Sequence, residues 1–245
     1  MLAKLCLELD TESWNYQKSS RLQGFMMEHL RSEYAEALHK QEMHPYSQAL
    51  LRENGRVIWQ ICTMSEEACD EIIKPLEASV EAIALHNEKE SVTVKGKARE
   101  ETDFSELLGE FYQGASQKNI TVDFLTPTAF KQKGRYIIMP DVRLICQSLM
   151  LRQASLASSF DMMDGDALQE IAENCLVTRH RIHSAVFPAE KTNIPGFVGS
   201  VTFRCFGSET MARYLRLLLR FGEFSGVGIK TGMGMGAMRL RREAE

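Results

Sequence analysis

The chain is organised around the stretch Gly222-Glu-Phe-Ser-Gly-Val-Gly-Ile-Lys-Thr-Gly-Met-Gly-Met-Gly-Ala-Met-Arg-Leu240, which holds six of its 16 glycines. An apolar run over residues 214–221 precedes this stretch, and a short strand-like run over 237–240 ends it. Glycine tolerates positive φ and lets a ligand approach the backbone, and successive amides can form an anion-binding concavity. Positive side chains accompany the glycines at Lys230, Arg239, Arg241 and Arg242. The stretch therefore predicts a loop that binds phosphate groups.

Neither common nucleotide-binding motif fits this glycine stretch. A dinucleotide fingerprint needs a strand, then glycines, then a helix, whereas the order here is helix, glycines, strand. A Walker A loop ends in Gly-Lys-Ser/Thr, but here Ile229 precedes Lys230 and Thr231. A plainer interpretation stays open, in which the glycines only let the last strand turn into its sheet.

Length and composition indicate an ordinary globular protein. The 245 residues suffice for one large domain or two small ones, and 44% of them are hydrophobic and 25% charged. No apolar run approaches the roughly 18 residues of a membrane span, and residues 1–10 lack a signal-peptide core. The cysteines form no Cys-x-x-Cys pair, so we expect reduced thiols and a cytoplasmic location. The cysteines are Cys6, Cys62, Cys69, Cys146, Cys175 and Cys205.

Charge is divided unevenly between the two halves of the chain. Residues 1–114 hold 12 Lys or Arg against 21 Asp or Glu, a net charge of −9, whereas residues 115–245 hold 17 against 12, a net charge of +5. A basic half can bind a polyanion even though the whole chain carries −4. Uneven surface charge with no partner is the alternative that this count leaves open.

Periodicity in the first half predicts the element order β-α-β-β-α-β. A helical stripe of apolar residues runs from Leu22 to Leu38, and this helix should end near His39. Asn54-Gly55 is a strong hairpin signal between two strands, and Ser65 is a suitable cap for a second helix. Strands are expected over residues 2–9, 47–51, 57–63, 82–85 and 91–97.

The same order recurs in the second half. A polar segment over 99–119 with a short helix over 104–111 indicates a linker, so the predicted domains are residues 1–114 and 115–245. Helices should begin at Pro140 and Glu209, with a short helical segment between them. Strands are expected over 120–125, 135–139, 176–187, 197–206 and 237–240. The predicted fold class is α+β, with two tandem ferredoxin-like (RRM-like) domains.

Three blocks of sequence resemble the Cas6 family of CRISPR-associated endoribonucleases, which cut precursor CRISPR RNA within its repeats. The glycine loop Gly226-Val-Gly-Ile-Lys-Thr-Gly-Met-Gly-Met-Gly-Ala237 follows a helix that ends Phe-Gly-Glu, as in that family. The segment Leu125-Thr-Pro-Thr-Ala-Phe-Lys131 with Pro140 also resembles it. So does Leu22-Gln-Gly24, leading to Leu38-His39 and Pro45-Tyr46-Ser47. The resemblance covers essentially the whole chain and looks closest to members that serve type III-A systems.

The resemblance implies a fold of two ferredoxin-like domains and a metal-independent transesterification that needs no cofactor. In that reaction the 2′-hydroxyl of the RNA attacks the adjacent phosphate, which leaves a 2′,3′-cyclic phosphate and a 5′-hydroxyl. Histidine suits the proton transfers because its pKa of about 6.5 lies near working pH. DNA lacks the 2′-hydroxyl, so we expect that it is not cut.

The resemblance places the catalytic histidine at His39, although a histidine at a helix C-terminus is also explained by the helix dipole alone. Lys40 is a candidate electrostatic stabiliser. His44 and Tyr46 are candidates for the second proton-transfer residue. Some family members have a tyrosine where this chain has Met27, which cannot transfer a proton, so the second catalytic residue stays open.

RNA contacts are expected from the hairpin Lys131-Gln-Lys-Gly-Arg135 and from the glycine loop. No metal site is expected, because His180 and His183 would point to opposite faces of a strand. Arg179 and Arg181 share one strand face, where they either meet phosphates or are simply solvated. The predicted RNA-binding residues are Lys131, Lys133, Arg135, Gly226, Gly228, Lys230, Thr231, Gly232, Gly234 and Gly236.

The implied partner is the precursor CRISPR RNA repeat, with no membrane. Transient contact with a type III-A effector complex and a homodimer are further expectations. An alternative, motivated by the missing tyrosine, is a non-catalytic RNA-binding or scaffold subunit of a CRISPR effector complex. A nucleotide-binding enzyme is disfavoured by the motif spacings above.

Overall fold

The computed structural model describes residues 1–85, 91–114, 117–156, 162–189 and 192–241. His86, one of the six histidines, and Arg242, one of the basic residues near the glycine stretch, lie outside these ranges. Within these ranges, no helix is both long enough and apolar enough to cross a bilayer.

The first domain is an antiparallel sheet with helices on one side. Its strands are β1 (Leu2–Leu9), β2 (Tyr46–Glu53), β3 (Arg56–Thr63), β4 (Ala82–Ile83) and β5 (Val92–Thr102). Its helices are α1 (Ser19–Glu28), α2 (Ser32–Lys40), α3 (Glu66–Ala68) and α4 (Lys74–Ser79), with a π-helical turn (Cys69–Ile73) between the last two and a 3-10 turn (Tyr16–Lys18) before α1. The strand order is β2-β3-β1-β5-β4, so the first strand is central.

The second domain has the same plan. Its strands are β6 (Asn119–Thr128), β7 (Phe130–Gln132), β8 (Arg135–Ile137), β9 (Cys175–Ala189), β10 (Thr192–Cys205) and β11 (Met238–Leu240). The helix α5 (Phe104–Gln113) precedes it, and its own helices are α6 (Val142–Ala154), α7 (Gly165–Asn174) and α8 (Glu209–Ser225), with a 3-10 turn (Thr231–Met233) before β11. The main sheet has the order β11-β6-β10-β9, and β7 pairs with β8 in a separate hairpin.

Both domains follow the predicted β-α-β-β-α-β order, and the tandem ferredoxin-like fold class is confirmed. Local signals acted as expected in the first domain. Asn54 and Gly55 take φ of 51° and 79°, as a two-residue hairpin turn requires. Ser65 caps its helix, since its hydroxyl accepts a hydrogen bond from the amide of Ala68 at 3.1 Å.

The single helix predicted over 22–38 is wrong, because the chain breaks between α1 and α2. Arg31 takes an extended conformation with φ −62° and ψ 139°. Its guanidinium binds the carboxylate of Glu71 in the π-helical turn, with Nε to Oε2 at 2.7 Å. Leu30 on one side of the break and Tyr34 on the other are both buried. The chain therefore breaks within a continuous apolar stripe, and the contact between Arg31 and Glu71 accompanies the break.

Residues 135–139 do not form the single strand that was expected there. The strand β8 covers only Arg135–Ile137 and pairs with β7. Its turn consists of Lys133 and Gly134, with φ of 47° and 79°. The hairpin that the sequence predicts over residues 131–135 is thus present, but it is not part of the main sheet.

Two large apolar cores lie beneath the two sheets. The helix α5 packs on the core of the second domain: Leu107 is buried there, and the rings of Phe104 and Phe221 lie 5.5 Å apart. The predicted linker thus holds a helix attached to the second domain, and the domain boundary after residue 114 stays a prediction.

Strand β2 attaches the first domain to the glycine loop. The hydroxyl of Ser47 donates to the carbonyl of Phe224 at 2.5 Å. The amide of buried Gln48 donates to the carbonyl of Ser19 at 2.9 Å and to that of Gly232 at 3.3 Å. Buried hydrogen-bonding groups are costly to leave unpaired, so these contacts hold the loop against the first domain.

Candidate active site

An open cleft of about 530 Å³ lies between the two domains. Its walls contain polar and charged side chains from both. The first domain contributes Gln23, His39, Glu42 and His44, and the second contributes Tyr136, Arg152, Ala189, Thr192, Ile194, Lys230, Gly232 and Met233. The structure therefore brings His39 and Lys230, both singled out in the sequence, to one cleft.

His39 lies in the last turn of α2 and is exposed. The preceding Leu38 is fully buried in the core of the first domain, and its carbonyl accepts a hydrogen bond from the amide of Gln41 that ends the helix. This anchor fixes the helix end while the imidazole remains accessible in the cleft. Lys40 is also exposed but does not line the cleft.

His44 lines the same cleft and is half-buried. Its ring stacks on that of Tyr46 with centroids 5.3 Å apart and an angle of 16°. Its Nδ1 is buried and has no hydrogen-bond partner in the part of the chain that the structure describes. Burial lowers the pKa of His44, and the positive charges of Arg152, His39 and Lys230 lower it further.

Tyr46 lies behind the cleft surface. Its side chain is completely buried, and its hydroxyl accepts a hydrogen bond from the amide of Gln23 at 2.8 Å. Burial raises the pKa of Tyr46 to about 12. A Cβ on Gly232 would lie 3.3 Å from the ring, so the loop packs directly on it. This arrangement suits Tyr46 to a positioning role, in which it holds His44, Gln23 and the loop in place.

Four glycines of the loop take positive φ, namely Gly226 (64°), Gly228 (80°), Gly234 (115°) and Gly236 (70°). A Cβ at each would collide with the protein itself. The nearest atom would be the Ser19 Cβ at 2.2 Å for Gly234 and the Val227 carbonyl at 1.9 Å for Gly236. These glycines therefore let the loop pack tightly against the rest of the molecule.

Most amides of the loop already donate within the protein. The amide of Gly228 donates to the hydroxyl of Ser148 at 2.8 Å, and that of Gly236 donates to the carbonyl of Pro127 at 3.1 Å. Among the described residues, no acceptor is found for the amides of Lys230, Thr231 and Gly232. The loop amides left for an anion are thus those of segment 230–232, of which Lys230 and Gly232 line the cleft and Thr231 is buried.

Lys230 has a left-handed backbone, with φ of 57°, and an exposed side chain. Its carbonyl accepts hydrogen bonds from the amides of Met233 at 3.0 Å and Met235 at 3.2 Å, which closes the loop on itself. Thr231 is buried, and its hydroxyl has no partner among the described residues. The loop thus places one cation, Lys230, on the cleft wall opposite the first domain.

The hairpin β7–β8 lies beside the cleft. Its predicted RNA contacts Lys131, Lys133 and Arg135 are all exposed, and the neighbouring Tyr136 lines the cleft with 37% of its surface accessible. The hairpin therefore carries three exposed positive charges, and its Tyr136 ring lines the cleft together with His39 and Lys230. Such a surface can contact an RNA backbone and stack on a base.

Sequence reasoning missed Arg152, which lines the cleft near the end of α6. The residue is 8% exposed. A signal for it existed, because it falls on the apolar stripe of α6, seven residues after Ile145 and three after Leu149. A charged residue on a buried stripe is unusual, and Arg152 is found there because its side chain reaches the cleft.

Met27, where the resemblance implies a tyrosine in some family members, packs against the core of the first domain. Among the residues that the structure describes, no group of three His, Cys, Asp or Glu side chains is arranged to hold a metal ion. His180 and His183 lie on the exposed strand β9, together with Arg179 and Arg181.

Known proteins resemble the chain over nearly its full length. The family model described as CRISPR-associated endoribonuclease Cas6 matches residues 122–238. A protein of that name from Mycobacterium tuberculosis is 36% identical over 90% of this chain and 70% of its own length. Another, from Streptococcus thermophilus, is 31% identical over 92% of both chains.

Solved structures agree with this result. The structure of Thermus thermophilus Cas6 matches with a TM-score of 0.75 and 25% identity, covering 98% of each chain. A Cas6 product complex matches with a TM-score of 0.80 and 24% identity, covering 98% of this chain and 100% of that chain. The chain belongs to the Cas6 family of CRISPR-associated endoribonucleases.

Proposed function

We propose that this protein cuts precursor CRISPR RNA within its repeats by metal-independent transesterification. The 2′-oxygen forms a bond to the adjacent phosphorus, and the bond from phosphorus to the 5′-oxygen breaks. The products are a 2′,3′-cyclic phosphate and a 5′-hydroxyl. The observation that carries the proposal is that His39 of the first domain and Lys230 of the second line one cleft.

The reaction needs one group that accepts a proton from the 2′-hydroxyl and one that donates a proton to the leaving oxygen. His39 and His44 line the same cleft, so two imidazoles are available for the two transfers. We assign the essential transfer to His39, which is exposed and anchored by Leu38. His44 is the better candidate for the second transfer, because Tyr46 is buried and Lys40 does not line the cleft.

RNA binding is proposed to involve the second domain. Lys230 and the backbone of Thr231 and Gly232 would hold the RNA near the scissile phosphate, and the hairpin residues Lys131, Lys133 and Arg135 would contact the backbone further along. Gly226, Gly228, Gly234 and Gly236 would support this binding by holding the loop in place. Relatives at 31% and 36% identity are named as CRISPR-associated endoribonucleases, which supports repeat RNA as the substrate class.

The test is cleavage of labelled repeat RNA in EDTA by the wild type, His39→Ala and His29→Ala. His29 is a matched control, because it lies in the same domain and its ring packs on Phe25 with centroids 4.3 Å apart. We expect His39→Ala to lose about 10²–10⁴-fold in single-turnover rate, the range for removal of a general acid or base, and His29→Ala to keep the wild-type rate.

Intact RNA with the wild type would reject the proposed activity, and tight RNA binding in that case would favour a scaffold subunit. Cleavage by His39→Ala at the wild-type rate would reject the role of His39. A homodimer and contact with a type III-A effector complex remain predictions, which light scattering and pull-down with effector subunits would check.

A further inference from the structure

Arg152 is a buried cation that has no counterion among the described residues. Its side chain projects from α6 to the cleft, where only 8% of the residue is exposed. Its Nε is buried and has no hydrogen-bond partner, and no carboxylate of the described residues pairs with it. Four other arginines of this domain have polar partners: Arg220, Arg239 and Arg241 bind carboxylates, and Arg143 on the same helix donates to Gln169 at 2.6 Å.

A buried guanidinium that has no partner destabilises a folded protein, because its charge has lost water and gained no counterion. Burial lowers the pKa of Arg152 to about 10, so the group still carries its charge near neutral pH. His44, which lines the same cleft, also has a buried Nδ1 with no hydrogen-bond partner among the described residues. An anion bound in the cleft would pair with the charge of Arg152 and accept hydrogen bonds from its guanidinium.

Planar guanidinium groups bind phosphate oxygens through two parallel hydrogen bonds, which makes arginine the residue best suited to a phosphodiester at a fixed position. The cleft that Arg152 faces also holds His39 and Lys230. A phosphate bound there would lie beside the proposed proton-transfer residue.

We propose that Arg152 is a further catalytic residue, which binds the non-bridging oxygens of the scissile phosphodiester and stabilises the negative charge that grows on them during the reaction. This inference rests on the proposed function. Arg152 keeps its proton throughout, while the 2′-oxygen to phosphorus bond forms and the bond to the 5′-oxygen breaks.

The test compares Arg152→Met, which keeps the length of the side chain but not its charge, with Arg152→Lys and with the control Arg143→Met. We expect the single-turnover rate of Arg152→Met at saturating RNA to fall about 10²–10³-fold, as for the loss of one preorganised donor to a transition-state oxygen. Arg152→Lys should retain more of the rate, and Arg143→Met should retain all of it. RNA affinity should change much less than the rate, because one phosphate contact is a small part of the whole interface.

Inorganic sulfate serves as a probe that does not depend on cleavage. We expect sulfate to raise the Tm of the RNA-free wild type, Arg143→Met and His39→Ala by more than that of Arg152→Met. General effects of sulfate on stability act on all variants alike. The difference in the Tm increase between variants therefore measures sulfate binding at Arg152. Without sulfate, Arg152→Met should melt no lower than the wild type, because an unpaired buried charge has been removed.

An unchanged rate or an unchanged sulfate response in Arg152→Met would overturn the inference. So would a clearly lower Tm for Arg152→Met without sulfate, because that result would show that the charge is paired inside the folded protein. If the wild type fails to cut repeat RNA while the sulfate response depends on Arg152, the proposed function fails and the anion site stands.

Discussion

His44 illustrates how a single residue acquires its chemistry from its surroundings. The ring lies against Tyr46 on one side, and Arg152, His39 and Lys230 add positive charge around it. Both effects disfavour the imidazolium, so the folded protein holds His44 neutral at a pH where an exposed histidine begins to protonate.

The lowered pKa of His44 predicts how stability depends on pH. The unfolded chain binds a proton at His44 below its ordinary pKa of 6.5, whereas the folded state resists that proton. The free energy of unfolding should therefore fall as pH drops below 6.5, and the fall should be smaller in His44→Gln. Urea unfolding of both proteins at about pH 5.5 and about pH 7.5 measures the difference. An equal fall in both would contradict this account of His44.

The sequence identified some site residues and missed others, for a physical reason. His39 lies at a predicted helix end and Lys230 lies in a glycine loop. Each of these patterns can be recognised within a single segment of sequence. Arg152 and Gln48 act through contacts with distant segments. Gln48, for example, accepts from the indole of Trp59 at 2.9 Å and donates to the carbonyl of Gly232. No local pattern specifies such contacts.

At the scale of elements, the glycine loop departs most from its sequence-based interpretation. The sequence predicts a row of amides open to phosphate, whereas most of these amides donate to the protein itself. The glycines are required mainly because side chains would collide with α1, β2 and the loop itself. The loop thus forms part of the domain interface and presents a short segment around Lys230 to the cleft.

Gly234→Ala tests this role of the loop. The residue has φ of 115°, and a Cβ would lie 2.2 Å from that of Ser19. We expect a loss of about 1–3 kcal/mol in the free energy of unfolding from backbone strain alone. Gly24→Ala in α1 is the control: no atom lies within 4 Å of its added Cβ, and it should gain about 0.5–1 kcal/mol. Chemical denaturation gives both values, and equal stability of the two variants would contradict the packing role.

Lys230→Ala tests the contribution of the loop to RNA binding. Removal of one phosphate contact should weaken binding and reduce the slope of log affinity against log salt by about 0.7. The single-turnover rate at saturating RNA should change little, because Lys230 is assigned to binding. Lys74→Ala is the control, since Lys74 pairs with Asp70 at 2.6 Å on α4. A larger effect on the cleavage rate than on RNA affinity would contradict the assignment of Lys230 to binding.

The break between α1 and α2 was not predictable from local sequence. Leu22, Leu30 and Leu38 continue one stripe with no proline between them, and the one glycine in it, Gly24, lies well before the break, so periodicity favours a single helix. At the break, Arg31 contacts Glu71, which is 40 residues further along the chain. The consequence of the break is functional, because the separate helix α2 carries His39 to the cleft.

At the scale of the molecule, the tandem fold was predictable because each domain repeats strong local signals. Alternating strands, the Asn54-Gly55 turn and the amphipathic helix α8 all agree with one topology. The relation between the domains was not predictable, because it rests on buried side chains of β2 such as Ser47 and Gln48. The cleft, and therefore the active site, arises only from that relation.

The central claim is that the RNA's own 2′-hydroxyl attacks in this interdomain cleft. The most direct measurement uses repeat RNA with a single 2′-deoxy nucleotide immediately 5′ of the scissile phosphate, once the cut has been mapped, with product ends identified by mass spectrometry. We predict a 2′,3′-cyclic phosphate from all-ribose RNA, and no cut at that position in deoxy-substituted RNA that still binds. Cleavage of the deoxy-substituted RNA at that position, or a product with a free 3′-hydroxyl, would contradict the claim.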